Sequence, residues 1–100
     1  IQVTCSPGTQ YEIGLGNGTS GATAPSARRM TNTATSSSVT YGIYRDGGRS
    51  QHWGSTSGSD TVSAVGTGTA QNYTGYGAVP AQPTPDALTY TDTVIVQITY

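Results

Sequence analysis

The chain has 100 residues, nine charged side chains and a formal net charge of −1, whereas glycine, serine and threonine together occupy 43 positions. This length suits one domain with one core. Four arginines without any lysine exclude the basic face on which binding to nucleic acid or anionic membranes depends. No apolar run approaches the ~20 residues of a membrane span, so we expect no nucleic-acid partner and no membrane insertion.

The residue types favour β-structure. Threonine, valine, isoleucine and tyrosine are plentiful, and these stiff or flat side chains suit a half-buried sheet. Residues that favour helices are scarce. The sequence therefore predicts an all-β chain. Leucine, isoleucine and valine total only 14 residues, so the predicted core is thin.

The N-terminal quarter is predicted to form two strands and a loop. Residues 1–5 and 11–15 alternate apolar side chains with polar residues or glycine, which is typical of strands with one buried face. Asn17-Gly18 predicts a tight turn. The small, polar residues 19–27 predict a loop.

The middle of the chain is less regular. Arg28 and Arg29 are interpreted as surface charge, or as guanidinium groups that donate to loop carbonyls. Residues 39–43 alternate into a third strand, and residues 51–54 predict a short return strand after a glycine turn.

The C-terminal part contains the most regular segment. Residues 61–65 and 71–79 predict strands, and the two glycines in the second indicate a bulge or a close backbone approach. Three prolines between residues 80 and 85 predict a stiff loop. Residues 90–100 contain no strand breaker and predict a final strand. About seven strands at this spacing are typical of a β-sandwich.

No catalytic, cofactor-binding or metal-binding set emerges from the residues. Cys5 and His52 are the only cysteine and histidine, which is too few for a zinc site, and His52 is interpreted as a surface or packing residue. The five carboxylates are scattered, so we do not expect an enzyme. Cys5 occupies an inward position of the first strand, where it is either a small apolar residue or the partner of a cysteine elsewhere.

One set of spaced motifs extends over nearly the whole chain. It comprises Val3-Thr4-Cys5, Tyr11-x-Ile13-x-Leu15-x-x-Gly18, Arg29-Met30, Tyr41-x-Ile43-Tyr44-x-Asp46, Trp53-Gly54, Tyr76-Gly77-x-Val79-Pro80-x-Gln82 and Tyr90-x-Asp92-x-Val94-x-Val96-x-Ile98-x-Tyr100. In this order the motifs resemble the spore coat protein U domain family, which includes secreted spore coat proteins and the subunits of archaic chaperone–usher pili.

The resemblance implies an incomplete immunoglobulin-like β-sandwich that is completed by a donor strand from a neighbouring subunit. It implies that residues 1–100 are a single pilin-like domain lacking its N-terminal strands, and that Cys5 forms a disulfide with a cysteine in that missing part. The pairing edge would be the backbone of residues 90–100. The wall of the donor-strand groove would consist of Val94, Val96, Ile98 and Tyr100.

The function implied by the resemblance is that of a structural subunit of an extracellular pilus, which needs no cofactor. Such a subunit is exported through the periplasm, polymerises by donor-strand complementation and serves adhesion and biofilm formation. Its partners are neighbouring copies in the fibre, a periplasmic chaperone and an outer-membrane usher. Two alternatives stay open: a secreted spore-coat or matrix protein of the same fold, and a carbohydrate-binding tip adhesin with a stacking platform of Trp53, Tyr73 and Tyr76.

Overall fold

The computed structural model describes all residues from 1 to 100. It contains nine short strands and one turn of 3₁₀ helix at Pro25–Ala27. It has no helix of the length and apolar character that crossing a membrane requires. The strands are β1 (Gln2–Thr4), β2 (Gln10–Leu15), β3 (Arg29–Thr31), β4 (Ser38–Thr40), β5 (Gly42–Tyr44), β6 (Val62–Val65), β7 (Ala70–Asn72), β8 (Tyr76–Ala78) and β9 (Val96–Thr99).

One layer of the fold is a three-stranded antiparallel sheet in the order β6-β2-β9. Ile13 in the central strand lies opposite Val62 of β6 and Ile98 of β9. The apolar residues at alternate positions of β2 are buried, which confirms the strand that the alternation predicts. This sheet carries most of the core.

The remaining strands form the pairs β1-β7, β5-β8 and β3-β4. Strands β7 and β8 lie on one segment that the sequence predicts as a single strand, but the segment is interrupted at residues 73–75. A side chain at Gly75 would come within 3.3 Å of Ile43 and 3.9 Å of Trp53. Two core side chains thus lie close to the backbone at Gly75, whereas a side chain at Gly77 would meet nothing within 4 Å.

The predicted third strand is divided between two pairs. Val39 belongs to β4 and pairs with β3, whereas Ile43 belongs to β5 and pairs with β8. The chain changes partner at Tyr41, whose N–H donates to the Arg28 carbonyl at 3.0 Å. Neither β3 nor the 3₁₀ turn is predicted by the sequence, because three residues are too few to establish a periodicity.

The core between these layers is small, as the composition predicts. Its buried apolar residues are Val3, Tyr11, Ile13, Leu15 and Trp53. The Cα radius of gyration is 15.3 Å, above the ~13 Å of a compact 100-residue domain. The 36 main-chain hydrogen bonds are about half of the ~70 typical for this length. This all-β, immunoglobulin-like arrangement thus leaves strand edges and part of its core uncovered.

Candidate strand-pairing site

Strand β9 lies at the edge of the three-stranded sheet and has a neighbouring strand on one side only. Its register sets Val96 opposite Leu15, and the Gly16 N–H donates to the Ile95 carbonyl at 2.9 Å. Because alternate residues of an antiparallel strand bond to the same neighbour, the main-chain groups that face β2 are those of Ile95, Gln97 and Thr99.

The main-chain groups of the intervening residues face the free side of β9. These residues are Val94, Val96 and Ile98, and their side chains lie on the core face. Val94 and Ile98 pack against the buried cluster, whereas Val96 is 46% exposed. Unpaired main-chain groups and partly covered apolar side chains thus occur on the same edge, which is the combination that accepts an added strand.

The regular part of the final strand is shorter than the predicted span of residues 90–100. Thr91 forms an isolated bridge with Thr31, and continuous pairing with β2 begins only at Val96. The reason is that β2 ends at Leu15, so the residues before Ile95 have no continuous strand beside them and pair only once, at the end of β3. Ile95 points away from the core and is 69% exposed.

Tyr100 and Cys5 border the same hollow. This hollow has a volume of about 330 Å³ and is lined by Thr4, Cys5, Ser6, Thr9 and Tyr100. The Cys5 thiol is free and half-buried, and Cys5 packs against the core. Tyr100 is 89% exposed. The structure therefore brings Tyr100 beside Cys5, whereas Val94 and Ile98 of the final strand contact the core.

Two other strand edges are partly occupied by the chain itself. At the opposite edge of the same sheet, the Gln71 side chain donates to the Val65 carbonyl of β6 at 3.2 Å. Beside β5, the Trp53 N–H donates to the Ile43 carbonyl at 2.8 Å, so the predicted return segment does pair with β5. The edge of β9 has no such cover.

Asp92 fixes the segment that leads into β9. Its carboxylate accepts hydrogen bonds from the Thr19 N–H at 2.9 Å, the Ser20 hydroxyl at 3.2 Å and the Tyr41 hydroxyl at 2.5 Å. Burial alone would raise the pKa of this carboxyl, but the hydrogen bonds outweigh it and hold the pKa below the usual 3.8. Gly18, at φ +86°, lies so close to Asp92 that no side chain fits there. The Asn17-Gly18 turn is thereby tied to the start of the last strand.

Arg28 fixes the end of β2. Its side chain has no exposed surface, and one terminal nitrogen, Nη2, donates to the carbonyls of Leu15, Gly16 and Trp53 at 3.1, 2.8 and 2.6 Å. Of the two interpretations of this arginine, surface charge is therefore wrong and donation to carbonyls is confirmed. Because Gly16 also bonds to Ile95, Arg28 supports the part of β2 against which the final strand begins.

The aromatic platform considered for a carbohydrate-binding adhesin is not present. Trp53 is 1% exposed, and its Nε1 donates to the Ile13 carbonyl at 2.9 Å. Tyr73 packs against the core with its hydroxyl 2.5 Å from that of Tyr11. Only Tyr76 remains for contact with a ligand. The platform prediction is wrong because a core this small recruits the large rings.

The positions of Asp92 and Arg28 at this site are not predicted by the sequence. Asp92 meets Thr19 across 73 positions of sequence, and Arg28 meets Gly16 across 12. The only local signal is a carboxylate two residues before the apolar run of the last strand. That signal does not name a partner.

Comparisons with known proteins place this geometry in context. The family model of the Spore Coat Protein U domain matches residues 1–97. Protein U of Myxococcus xanthus is 34% identical over 104 residues, which cover 100% of this chain and 58% of that protein. The chain thus spans little more than half of that relative.

A solved structure has the same fold. It is the crystal structure of the CsuC–CsuE chaperone-tip adhesion subunit pre-assembly complex from archaic chaperone–usher Csu pili of Acinetobacter baumannii. One of its chains matches with a TM-score of 0.74 and 27% sequence identity, and the match covers 100% of this chain and 34% of that chain.

Proposed function

Because the chain belongs to the Spore Coat Protein U domain family, we propose that it is a structural, non-enzymatic subunit of an extracellular chaperone–usher type pilus. In this proposal β9 receives a donor strand from a neighbouring copy. The observation that carries it is the free edge of β9, where unpaired main-chain groups and apolar side chains coincide at Val94, Val96 and Ile98.

An added strand would gain from two sources at this edge. Each main-chain hydrogen bond contributes about 0.5–1.5 kcal/mol net, and covering an apolar side chain contributes about 1.5–3 kcal/mol. The alternate side chains of the added strand would face the uncovered core and fix the register. Such a contact joins unlike surfaces and does not close on itself, so repetition gives a fibre.

The same edge needs a temporary partner before assembly. An exposed, apolar strand edge is a site of aggregation, so we propose that a periplasmic chaperone occupies β9 during export and that an outer-membrane usher directs the exchange for a subunit strand. The likeness to a chaperone–subunit pre-assembly complex supports this order. The assembled fibre would be a cell-surface fimbrium that serves adhesion and biofilm formation.

A strand-addition experiment tests the proposal. A synthetic ten-residue peptide of alternating valine and threonine is added to the isolated chain, and amide hydrogen exchange is measured residue by residue. We expect slowed exchange at Val94, Val96 and Ile98, whose N–H groups face the free edge. The amides of Gln97 and Thr99 should change little, because they already face β2.

A matched peptide with proline at alternate positions provides the control, since proline has no N–H to donate. It should bind at least tenfold more weakly, a difference of about 1.4 kcal/mol. A chain that stays monomeric and shows unchanged exchange at all three residues would contradict strand addition at β9. Equal binding of both peptides would indicate simple apolar contact.

We also propose that Cys5 forms a disulfide with a cysteine outside these 100 residues, since the chain holds no second one. The half-buried thiol borders the open hollow, where a partner can reach it. Mass spectrometry of the native protein should show Cys5 in a disulfide. Detection of a free thiol in protein from its native location would reject this pairing.

A secreted spore-coat or matrix protein of the same fold is the second candidate, and the similarity to Protein U favours it. The two candidates differ in one property, because only the pilus subunit requires β9 to accept a strand. The peptide experiment therefore discriminates between them.

A further inference from the structure

We propose that the outer edge of β4 is a second strand-pairing surface, and that the side chain of Gln82 masks it against a second copy of this chain. The inference concerns a different sheet from the β9 edge and does not depend on the proposed function.

The Gln82 side chain bonds to both main-chain groups of one residue of β4. Its Oε1 accepts from the Thr40 N–H at 2.9 Å, and its Nε2 donates to the Thr40 carbonyl at 2.9 Å. An antiparallel strand would use one residue to form the same two bonds. The amide of Gln82 therefore takes the place of a neighbouring strand at this point.

The ladder between β3 and β4 shows why Thr40 needs such a partner. The Tyr41 N–H donates to the Arg28 carbonyl at 3.0 Å, so Tyr41 faces β3. By alternation, the main-chain groups of Thr40 and Ser38 face the opposite side. Gln82 thus bonds to the outward-facing main-chain groups of Thr40, at the C-terminal end of β4. Ser38 is the other residue of β4 whose main-chain groups face outward.

The segment that carries Gln82 cannot extend the sheet further. Pro80, Pro83 and Pro85 have no N–H to offer to another strand. The Nε2 of Gln82 also donates to the Pro80 carbonyl at 3.1 Å, which holds the amide in place. The outer edge of β4 is therefore covered by a side chain instead of a strand. Another strand can pair with β4 only if the Gln82 side chain releases the main-chain groups of Thr40.

A second copy of the chain is the partner that fits the exposed edge. Two β4 strands related by a two-fold axis run antiparallel, so each Thr40 region meets the same region of its partner. No residue from 30 to 44 is charged, so like-charge repulsion does not oppose this contact. Pairing of identical uncharged edges is the association that a masked edge prevents.

The test compares Gln82→Met with the wild type. Methionine keeps the length of the side chain and removes both hydrogen bonds, whereas Thr84→Ala is a control in the same segment. We expect sedimentation velocity to show concentration-dependent dimers of Gln82→Met with at least tenfold tighter self-association than the wild type. The Thr40 amide should exchange fast in dilute Gln82→Met and slowly when the variant is concentrated.

Every other pattern overturns the proposal. A monomeric Gln82→Met with a fast Thr40 amide at all concentrations means that the edge does not pair. A slow Thr40 amide in the dilute variant means that Gln82 does not mask it. Dimers with a fast Thr40 amide pair elsewhere.

A second variant covers the case in which Gln82→Met fails to fold. Gln82→Ala removes both hydrogen bonds to Thr40 and introduces no donor, acceptor or charge in their place. It should also expose the edge, so that concentration-dependent dimers with a slow Thr40 amide appear. A folded Gln82→Ala without such dimers would overturn the proposal.

Discussion

Replacing Arg28 by methionine is expected to lower the free energy of unfolding by about 3–5 kcal/mol. Methionine retains an apolar stem but leaves the carbonyls of Leu15, Gly16 and Trp53 without their donor. Each buried, unpaired carbonyl costs about 1–3 kcal/mol, and relief of the buried charge offsets part of the sum. In a chain with so small a core, this loss is a large fraction of the total stability.

The neighbouring Arg29 supplies the matched control. It is exposed and donates to the Ser20 carbonyl at 2.8 Å, so Arg29→Met should change the free energy of unfolding by no more than about 0.5 kcal/mol. Urea denaturation followed by far-ultraviolet circular dichroism gives both values. Equal stability of the two variants would show that the carbonyl contacts of Arg28 contribute nothing.

Replacing Val96 by aspartate is expected to weaken binding of the valine–threonine peptide by about 10²–10³-fold, equivalent to about 3–4 kcal/mol. The loss combines the missing apolar contact with a carboxylate that the added strand would cover without a partner. The isolated chain should tolerate the substitution, because Val96 is 46% exposed before a strand is added.

Gln97→Asp is the control for charge on the same strand. Gln97 is exposed and on the face opposite Val96, so the added strand would not cover its side chain. Titration of the peptide into each variant, measured by calorimetry, should show a loss confined to Val96→Asp. Similar losses for both variants would mean that the peptide does not lie along the core face of β9.

The parts of the fold that the sequence predicts are those with a local cause. Alternation along residues 11–15 identifies β2, because the polarity of each side chain indicates whether it lies on the buried or the exposed face of the strand. The division of residues 38–44 between β4 and β5 has no local signal, since it depends on which distant strand lies alongside. Tertiary pairing decides such boundaries.

The candidate site shows the same limit. Alternation predicts the inward face of the last strand, and the structure places Val94 and Ile98 against the core. The residues that hold or mask edges are side chains bonding to distant main-chain groups. Gln82 meets Thr40 across 42 positions and Asp92 meets Thr19 across 73. A single sequence carries no pattern that identifies contacts between residues so far apart.

The position of Trp53 gives the chain an intrinsic optical reporter. It is the only tryptophan, its ring is 1% exposed, and its Nε1 bonds to the Ile13 carbonyl of β2. Its own carbonyl accepts from Arg28 at 2.6 Å. The wavelength of tryptophan fluorescence therefore reports solvent exposure at one contact, that of Trp53 with the central strand β2. It distinguishes local opening of this contact from fraying of the edge strands, and no attached dye is needed.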